Sequence, residues 1–260
     1  MEKHLGYRRC FSVSVIGIIM SERLVNILLT SFTKILLPGI KVTVPLTLIS
    51  FAISLVLGLI LAWLQVANVK VLKQVAFIYT WIFRGTPLIV QLFIIFYGLP
   101  SLGIILDAFP AAVIGFGLNL AAYNAEVFRS AIIAVPKGQT EAAYLIGLTY
   151  PQLMSRIVLP QAFSIAFPSL FNNLISLLKD TSLAASITVV ELFTVTQQIA
   201  ARTYEPFALY MEAAVIYLIF STLLTLLQGY LEKKFVWKTK ENGLSGERRS
   251  ILGLMRKEGK

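Results

Sequence analysis

The chain has 260 residues, of which 57% are hydrophobic and only 14% are charged, and its mean hydropathy is +0.78. Soluble domains carry about 25% charged residues, so this composition excludes an ordinary water-soluble protein. The single cysteine, Cys10, excludes a disulfide scaffold, and the single histidine, His4, argues against a metal centre or histidine-based catalysis.

The net charge of +10 is concentrated at the two ends of the chain. Residues 1–41 hold 6 Lys/Arg and 2 acids, residues 42–231 hold 8 and 7, and residues 232–260 hold 9 and 4. This distribution is typical of a membrane protein whose basic ends contact anionic lipid headgroups, and it does not indicate a nucleic-acid partner.

The first 37 residues form an N-terminal extension. Phe11–Met20 is apolar and follows Arg8 and Arg9, which leaves two interpretations open: a signal-peptide-like core, or an extension ahead of a start at Met20. From Arg23 to Lys41 apolar residues recur at helical spacing, which predicts an amphipathic helix at the membrane interface. Pro38-Gly39 is expected to end that helix and turn the chain inward.

Charge-free runs of 18 to 28 residues predict that residues 38–232 are an all-α integral membrane domain. Five spans are expected, at residues 40–66, 75–98, 108–134, 160–186 and 208–231. A basic tail follows at residues 233–260.

The positions of Lys and Arg in the short loops predict the orientation. The cations fall between spans one and two and between spans three and four: Lys70, Lys73, Arg84, Arg129, Lys137 and Arg156. Because cytoplasmic loops are enriched in Lys and Arg, both loops are expected inside. The N-terminus is then outside and the C-terminus cytoplasmic.

The loop between spans three and four, residues 135–160, has a specific local pattern. Helix propensity is high up to Ile146, and Gly147 can end the helix with a positive φ. Thr149 and Gln152 form a capping-box pattern around Pro151, which favours a new helix. Two short helices at an angle would make a protrusion that fits a groove on another protein.

This loop also resembles a known family signature. Glu141-Ala142-Ala143, Gly147 and Ile157-Val158-Leu159-Pro160 match the EAA loop of membrane-spanning subunits of bacterial ATP-binding-cassette (ABC) importers. Phe83-Arg84-Gly85-Thr86-Pro87 and Leu178-Lys179-Asp180-Thr181-Ser182-Leu183 are similar to the polar amino acid branch, whose substrates include histidine, glutamate, glutamine, arginine, cystine and opines. The resemblance covers residues 38–232 and implies the five-helix type I importer (MetI-like) permease fold.

The resemblance also implies the partners. Glu141, Ala142, Ala143 and Gly147 would couple the chain to a cytoplasmic ABC ATPase dimer. The sequence has no G-x-x-x-x-G-K-S/T pattern, so ATP and Mg²⁺ are expected on the ATPase, with no cofactor on this chain. An extracytoplasmic amino-acid-binding protein would meet the outer loops, including Asp107 and residues 191–212. A second copy or a paralogue would complete the path in a bacterial inner membrane.

Four ionisable residues at membrane depth are candidates for function: Glu126, Arg129, Lys179 and Asp180. Arg129 lies about one turn after Glu126, which also fits an intrahelical ion pair. Lys179 and Asp180 are adjacent and would point to different sides of a helix. A helix break at Asp180-Thr181-Ser182 would expose backbone groups to a ligand.

A zwitterionic amino acid needs an anion for its ammonium group and donors for its carboxylate. Glu126 and Asp180 are the expected ammonium ligands, and two acids in the core favour a cationic or zwitterionic substrate. Other polar residues are further candidates for the substrate path: Lys179, Thr181, Ser182, Asn119, Asn124, Arg84 and Thr86. The Arg84–Pro87 segment also fits a structural kink at the cytoplasmic entry to span two.

Two other functions stay open at this point. An intramembrane enzyme could use Glu126 and Asp180 as a carboxylate pair, although no catalytic residue is otherwise indicated. A stand-alone secondary transporter or channel would work without an ATPase. Dependence of uptake on ATP, and co-purification with an ATP-binding chain, distinguish these functions from an importer subunit.

Overall fold

The computed structural model describes residues 22–66 and 69–235, and every regular element within them is helical. The helices are α1 Glu22–Val66, α2 Lys70–Gly85, α3 Leu88–Leu102, α4 Ala108–Ile133, α5 Lys137–Leu145, α6 Tyr150–Ile187, α7 Leu192–Thr203 and α8 Pro206–Phe235. The apolar Phe11–Met20 stretch and most of the basic tail lie outside the described residues.

Within the described residues, four helices are long and apolar enough to cross a membrane: α1, α4, α6 and α8. The bent pair α2 and α3 makes a fifth span if the two are counted together. The prediction of an all-α membrane protein is therefore confirmed, with four to five candidate spans among the described residues.

The prediction that the first helix ends at Pro38-Gly39 is wrong. α1 is one continuous helix of 45 residues, which passes through Pro38 and a π-helical segment, Gly39–Thr43. Pro38 has no N–H to donate to the preceding turn, and the wider π-helical turns begin directly after it. Packing keeps the helix continuous, since Ile35 is fully buried against residues of α7 and α8.

The second span is not the single helix expected at residues 75–98. α2 and α3 meet at a bend of 104°. Thr86 has an extended backbone, with φ −119° and ψ 145°, because the ring of Pro87 disfavours the helical conformation in the residue before it. The predicted kink is confirmed, but it lies between two helices and not at one end of a span.

The loop between spans three and four also differs in part from the expectation. α5 and the break at Gly147 occur as predicted, with φ +80° at the glycine. The second helix is not short, because α6 runs from Tyr150 through a π-helical segment, Met154–Val158, to Ile187. Leu153 and Val158 are buried against α4, so this first part of α6 packs on the membrane domain.

α1, α4 and α6 form the centre of the bundle. A Cβ atom at Gly58 of α1 would lie 2.8 Å from Asn124 Cβ and 3.2 Å from the carbonyl oxygen of Ala121, so glycine permits the close approach of α4. Asn124 is fully buried, donates to Ser54 Oγ at 2.9 Å and accepts from Asn173 Nδ2 at 2.8 Å. These contacts fix the helix that carries Glu126.

Candidate functional site

Two neighbouring clefts border the bend between α2 and α3. The first cleft, of about 920 Å³, extends toward the end of α4 that leads into α5. Its polar lining residues are Gln65, Lys73, Thr80, Arg84, Tyr123, Glu126 and Arg129. The second cleft, of about 610 Å³, lies on the other side of the bend. Its polar lining residues are Arg84, Thr86, Asn119, Tyr123, Asn173, Ser176 and Asp180.

Glu126 is paired with two arginines on the wall of the first cleft. Arg129 Nε donates to Glu126 Oε2 at 3.2 Å, and a second guanidinium nitrogen of Arg129 donates to Oε1. Arg84 lies 3.9 Å from the same carboxylate. The predicted intrahelical pair is confirmed, and the carboxylate of Glu126 is already compensated by positive charge.

Arg84 stands where the two clefts meet. Its guanidinium carbon lies 5.6 Å from the centroid of the Tyr123 ring, within the range of a cation–π contact. The Arg84 side chain remains 44% exposed, so part of its guanidinium group can reach a ligand. Arg84 and Tyr123 both line both clefts.

A polar network holds the bend that places Arg84. Gln91 Nε2 lies 3.0 Å from the carbonyl oxygen of Phe83 and 2.7 Å from Thr86 Oγ1. Asn119 Nδ2 donates to Gln91 Oε1 at 3.0 Å. Gln91 and Asn119 are buried, so these bonds satisfy backbone groups that the bend frees from helical pairing. Asn119 therefore has a structural role at the edge of the second cleft, and Thr86 shares it.

Asp180 lines the second cleft and makes no hydrogen bond or ion pair with the described side chains. The adjacent Lys179 does not line either cleft, as expected for neighbouring residues on a helix. The second cleft thus has on its wall a carboxylate from α6, whose nearest cation is the adjacent Lys179, and the partly exposed Arg84. Side chains of opposite charge thus line the same cleft.

The α-helical part of α6 ends at Asp180, where a break is expected, but the chain continues directly as a 3₁₀-helix, Thr181–Ile187, and not as an open break. Thr181 is fully buried and donates to the carbonyl oxygen of Leu178 at 2.6 Å, while Ser182 donates to that of Lys179 at 2.8 Å. Because these hydroxyl groups donate within their own helix, only their oxygen lone pairs are left to accept a hydrogen bond from a ligand. Asn124 is buried between helices and lines neither cleft.

Glu126 and Asp180 do not form a carboxylate pair. Glu126 lines the first cleft with its two arginines, whereas Asp180 lines the second. A general acid–base pair needs both groups within reach of one substrate bond. The arrangement gives no support to an intramembrane enzyme.

The loop between α4 and α6 presents an apolar surface. Leu145 is 88% exposed and Ile146 is 77% exposed, while Ala143 on the opposite face is buried. Of the residues expected to couple to an ATPase, Glu141, Ala142 and Gly147 are exposed, but Ala143 packs inward against the membrane domain. The capping box is present, with the backbone N–H of Thr149 donating to Gln152 Oε1 at 2.9 Å.

A fully buried carboxylate, Glu191, lies where the sequence predicts an outer loop. It caps α7, accepting from the backbone N–H groups of Phe193 at 2.8 Å and Thr194 at 2.7 Å. Its Oε2 also accepts from the Tyr217 hydroxyl at 3.1 Å and lies 3.5 Å from Thr43 Oγ1. Burial raises the pKa of Glu191, and the backbone hydrogen bonds oppose that shift in part.

The signal for Glu191 in the sequence is weak but readable. Glutamate is not one of the preferred N-cap residues, so only the general preference for acidic groups at a helix N-terminus points to this position. Its contacts with Thr43 of α1 and Tyr217 of α8 come from distant parts of the chain. They make Glu191 a junction of three helices and not an exposed docking residue.

Comparison with known proteins agrees with this architecture. Residues 54–237 match the family described as binding-protein-dependent transport system inner membrane component. The L-cystine transport system permease protein TcyB of Bacillus subtilis (strain 168) is 48% identical over 205 residues, which cover 78% of this chain and 88% of TcyB. The arginine transport system permease protein ArtQ of the same organism is 36% identical over 200 residues, covering 76% and 91%.

A solved structure is also similar. A crystal structure of an amino acid ABC transporter with histidines superposes with a TM-score of 0.74 at 33% identity, covering 79% of this chain and 96% of that chain. The chain belongs to the family of binding-protein-dependent transport system inner membrane components.

Membership of this family confirms the resemblance seen in the EAA loop. The chain is a multi-pass membrane subunit of an ABC importer, and it is not an enzyme. ATP hydrolysis belongs to a separate subunit, and importers of this kind combine permease and ATPase subunits.

Proposed function

We propose that the chain forms the path of an amino-acid importer in a bacterial inner membrane, and that the second cleft receives the substrate. The observation that carries the proposal is the presence of Asp180 and Arg84 on the wall of one cleft. Asp180 would bind the α-ammonium group, and the exposed part of Arg84 would bind the α-carboxylate. Charge-assisted hydrogen bonds of this kind are the strong ones in a partly dehydrated site.

The substrate class we propose is polar zwitterionic amino acids, with cystine as the first to test. Support comes from the identity with TcyB, a cystine permease by name, and from the match to ArtQ, an arginine permease by name. Both substrates share the α-ammonium and α-carboxylate groups. The remainder of the second cleft would then select among side chains.

Uptake of labelled amino acids by cells that express the whole transporter, in a host without its own cystine importer, tests this function. Cystine uptake should require ATP, and in a panel of unlabelled amino acids only true substrates should compete with it. Asp180→Asn should lower uptake by about tenfold or more, since a charge-assisted bond is lost. Lys179→Gln is the matched control, since Lys179 lies outside both clefts. Unchanged uptake and selectivity in Asp180→Asn would remove the site.

We also propose that α5 couples the chain to a cytoplasmic ATPase dimer, with the N-terminus outside and the C-terminus inside. Glu141, Ala142 and Gly147 are exposed there beside Leu145 and Ile146, which suits insertion into a groove. Ala143, which is buried against the membrane domain, would hold α5 in place. An extracytoplasmic binding protein would deliver the substrate at the opposite end, near Asp107, and a second permease subunit would complete the path.

Two glycines of the loop allow a matched test of the coupling. Gly147 has φ +80°, where a β-branched residue is strained, whereas Gly138 has an ordinary φ and open space within 4 Å of where its Cβ atom would stand. Gly147→Val and Glu141→Lys should abolish uptake and co-purification with the ATPase while the subunit still inserts. Gly138→Val should retain both. Normal uptake in Gly147→Val and Glu141→Lys would refute the coupling role.

A further inference from the structure

We infer that Arg84 and Tyr123 form an internal gate between the two clefts, and that Glu126 is a positioning residue that holds Arg84 in the closed arrangement. This inference rests on the proposed function, because it takes the second cleft as the substrate site and the first cleft as the route toward the cytoplasm. It assigns Glu126 a role other than that of a substrate ligand.

Arg84 and Tyr123 lie at the boundary between the two clefts. Arg84, Gly85 and Tyr123 line both clefts, and Gly85 has no side chain. The two side chains that separate the clefts are therefore those of Arg84 and Tyr123. Their contact, 5.6 Å from guanidinium carbon to ring centroid, keeps the long arginine across the junction.

Glu126 forms ion pairs of different strength with Arg129 and Arg84. Arg129 bonds to both oxygens of Glu126 from one turn along the same helix, so the carboxylate is fixed in direction. Arg84 reaches that carboxylate only at 3.9 Å, which is a weak and partly exposed ion pair. The ion pair with Arg129 fixes the Glu126 carboxylate, and the weaker ion pair with that carboxylate holds Arg84. A contact of that strength can break when a substrate carboxylate competes for the arginine.

The backbone next to Arg84 is held by side-chain hydrogen bonds. Phe83, directly before Arg84, accepts hydrogen bonds from Gln91 and Asn119 at its carbonyl oxygen. The backbone of the bend is thus fixed, and opening can be confined to the Arg84 side chain. A side-chain gate of this kind needs no movement of α2 or α4.

Cysteine accessibility tests the gate in inside-out membrane vesicles that carry the whole transporter, on a Cys10→Ser background. Ser176→Cys places a thiol in the second cleft and Ile133→Cys places one in the first. A small anionic methanethiosulfonate reagent is added at the cytoplasmic face. Ile133→Cys should react at the same rate with or without Arg84. Ser176→Cys should react about tenfold faster when Arg84→Ala is added, in keeping with the loss of one partly dehydrated cation–π contact.

Two further variants separate gating from other roles. Glu126→Gln should also speed labelling of Ser176→Cys, although less than Arg84→Ala, because it releases the arginine without removing it. Lys73→Ala is the matched control, since Lys73 lines only the first cleft, and it should leave the rate unchanged. Equal labelling of Ser176→Cys with and without Arg84 would overturn the gate, even if Arg84→Ala abolished uptake. If the unaltered transporter took up no amino acid, the proposed function would be refuted, but the labelling rates would still report on the gate.

Discussion

Two carboxylates within the helical bundle have opposite surroundings. Glu126 faces a cleft, keeps 34% of its side chain exposed and is paired with two arginines. Glu191 is fully buried and is bonded to neutral donors, namely the two amides of α7 and the Tyr217 hydroxyl. Since burying a carboxylate is costly unless its oxygens are bonded, the second arrangement is architectural. The arrangement around Glu126 leaves its charged groups accessible to a solute in the cleft.

The largest expected effect is at Glu191. Glu191→Ala leaves the amides of Phe193 and Thr194 and the Tyr217 hydroxyl without their acceptor. An unsatisfied buried group costs about 1–3 kcal/mol, and because these three donors are partly buried, the subunit should lose about 3 kcal/mol of stability in total. The measurement is the temperature at which the detergent-solubilised protein loses its monodisperse peak. Glu191→Gln, which keeps one acceptor oxygen, should fall between this variant and the wild type. A Glu191→Ala protein as stable as the wild type would contradict the structural role.

Tyr217→Phe should have a smaller effect of the same kind. It removes one hydrogen bond to Glu191, of 3.1 Å, and leaves the two amide donors in place. The expected loss is about 1 kcal/mol, measured by the same thermal assay. Tyr230→Phe on the exposed side of α8 is the control and should have no effect. If both variants behaved alike, the Tyr217 contact would contribute nothing to the junction.

A pH series should separate the two carboxylates further. Burial raises the pKa of Glu191, so the folded protein binds this proton more tightly than the unfolded chain does. The resulting stabilisation is complete below the ordinary pKa of a glutamate and is lost as the pH rises through the raised value. Subtracting the melting temperatures of Glu191→Gln from those of the wild type isolates this contribution. A difference that grows with rising pH would contradict the direction of the shift.

Glu126→Gln should have the smallest effect on stability. Ion pairs that are about a third exposed to solvent contribute about 0–1 kcal/mol, so the melting temperature should barely change. Amino-acid uptake should nevertheless fall several-fold, because Arg84 loses the group that positions it. The comparison of the two carboxylates would fail if this variant were destabilised as strongly as Glu191→Ala.

Local pattern is enough to predict some helices and is misleading for others. The third span, expected at residues 108–134, is observed at Ala108–Ile133, because no proline beyond the first turn interrupts the helix. Pro38 and Pro87 both indicate interruptions in the sequence, but only Pro87 marks a bend. The difference is tertiary: Ile35 is packed against α7 and α8 around Pro38, whereas Gln91 and Asn119 stabilise the bend before Pro87.

Local sequence patterns likewise predict some contacts of the candidate site and not others. The Glu126–Arg129 pair follows from the spacing of three residues on one helix. The contacts of Glu191 do not follow from spacing, because Thr43 is 148 residues away along the chain and Tyr217 is 26 residues away. The burial of Asn124 likewise depends on the close approach of α1 at Gly58, which no local pattern specifies.

The length of α6 has a mechanical consequence. A single helix begins at Tyr150, directly after the loop with the exposed apolar surface, and carries Asp180 thirty residues later, about 45 Å along its axis. In the proposed importer, a displacement of the first turn of α6 would reach Asp180 through this one helix, past the π-helical segment Met154–Val158 and Pro168. The docking of an ATPase at one end and the binding of a substrate at the other would then be coupled through a single element.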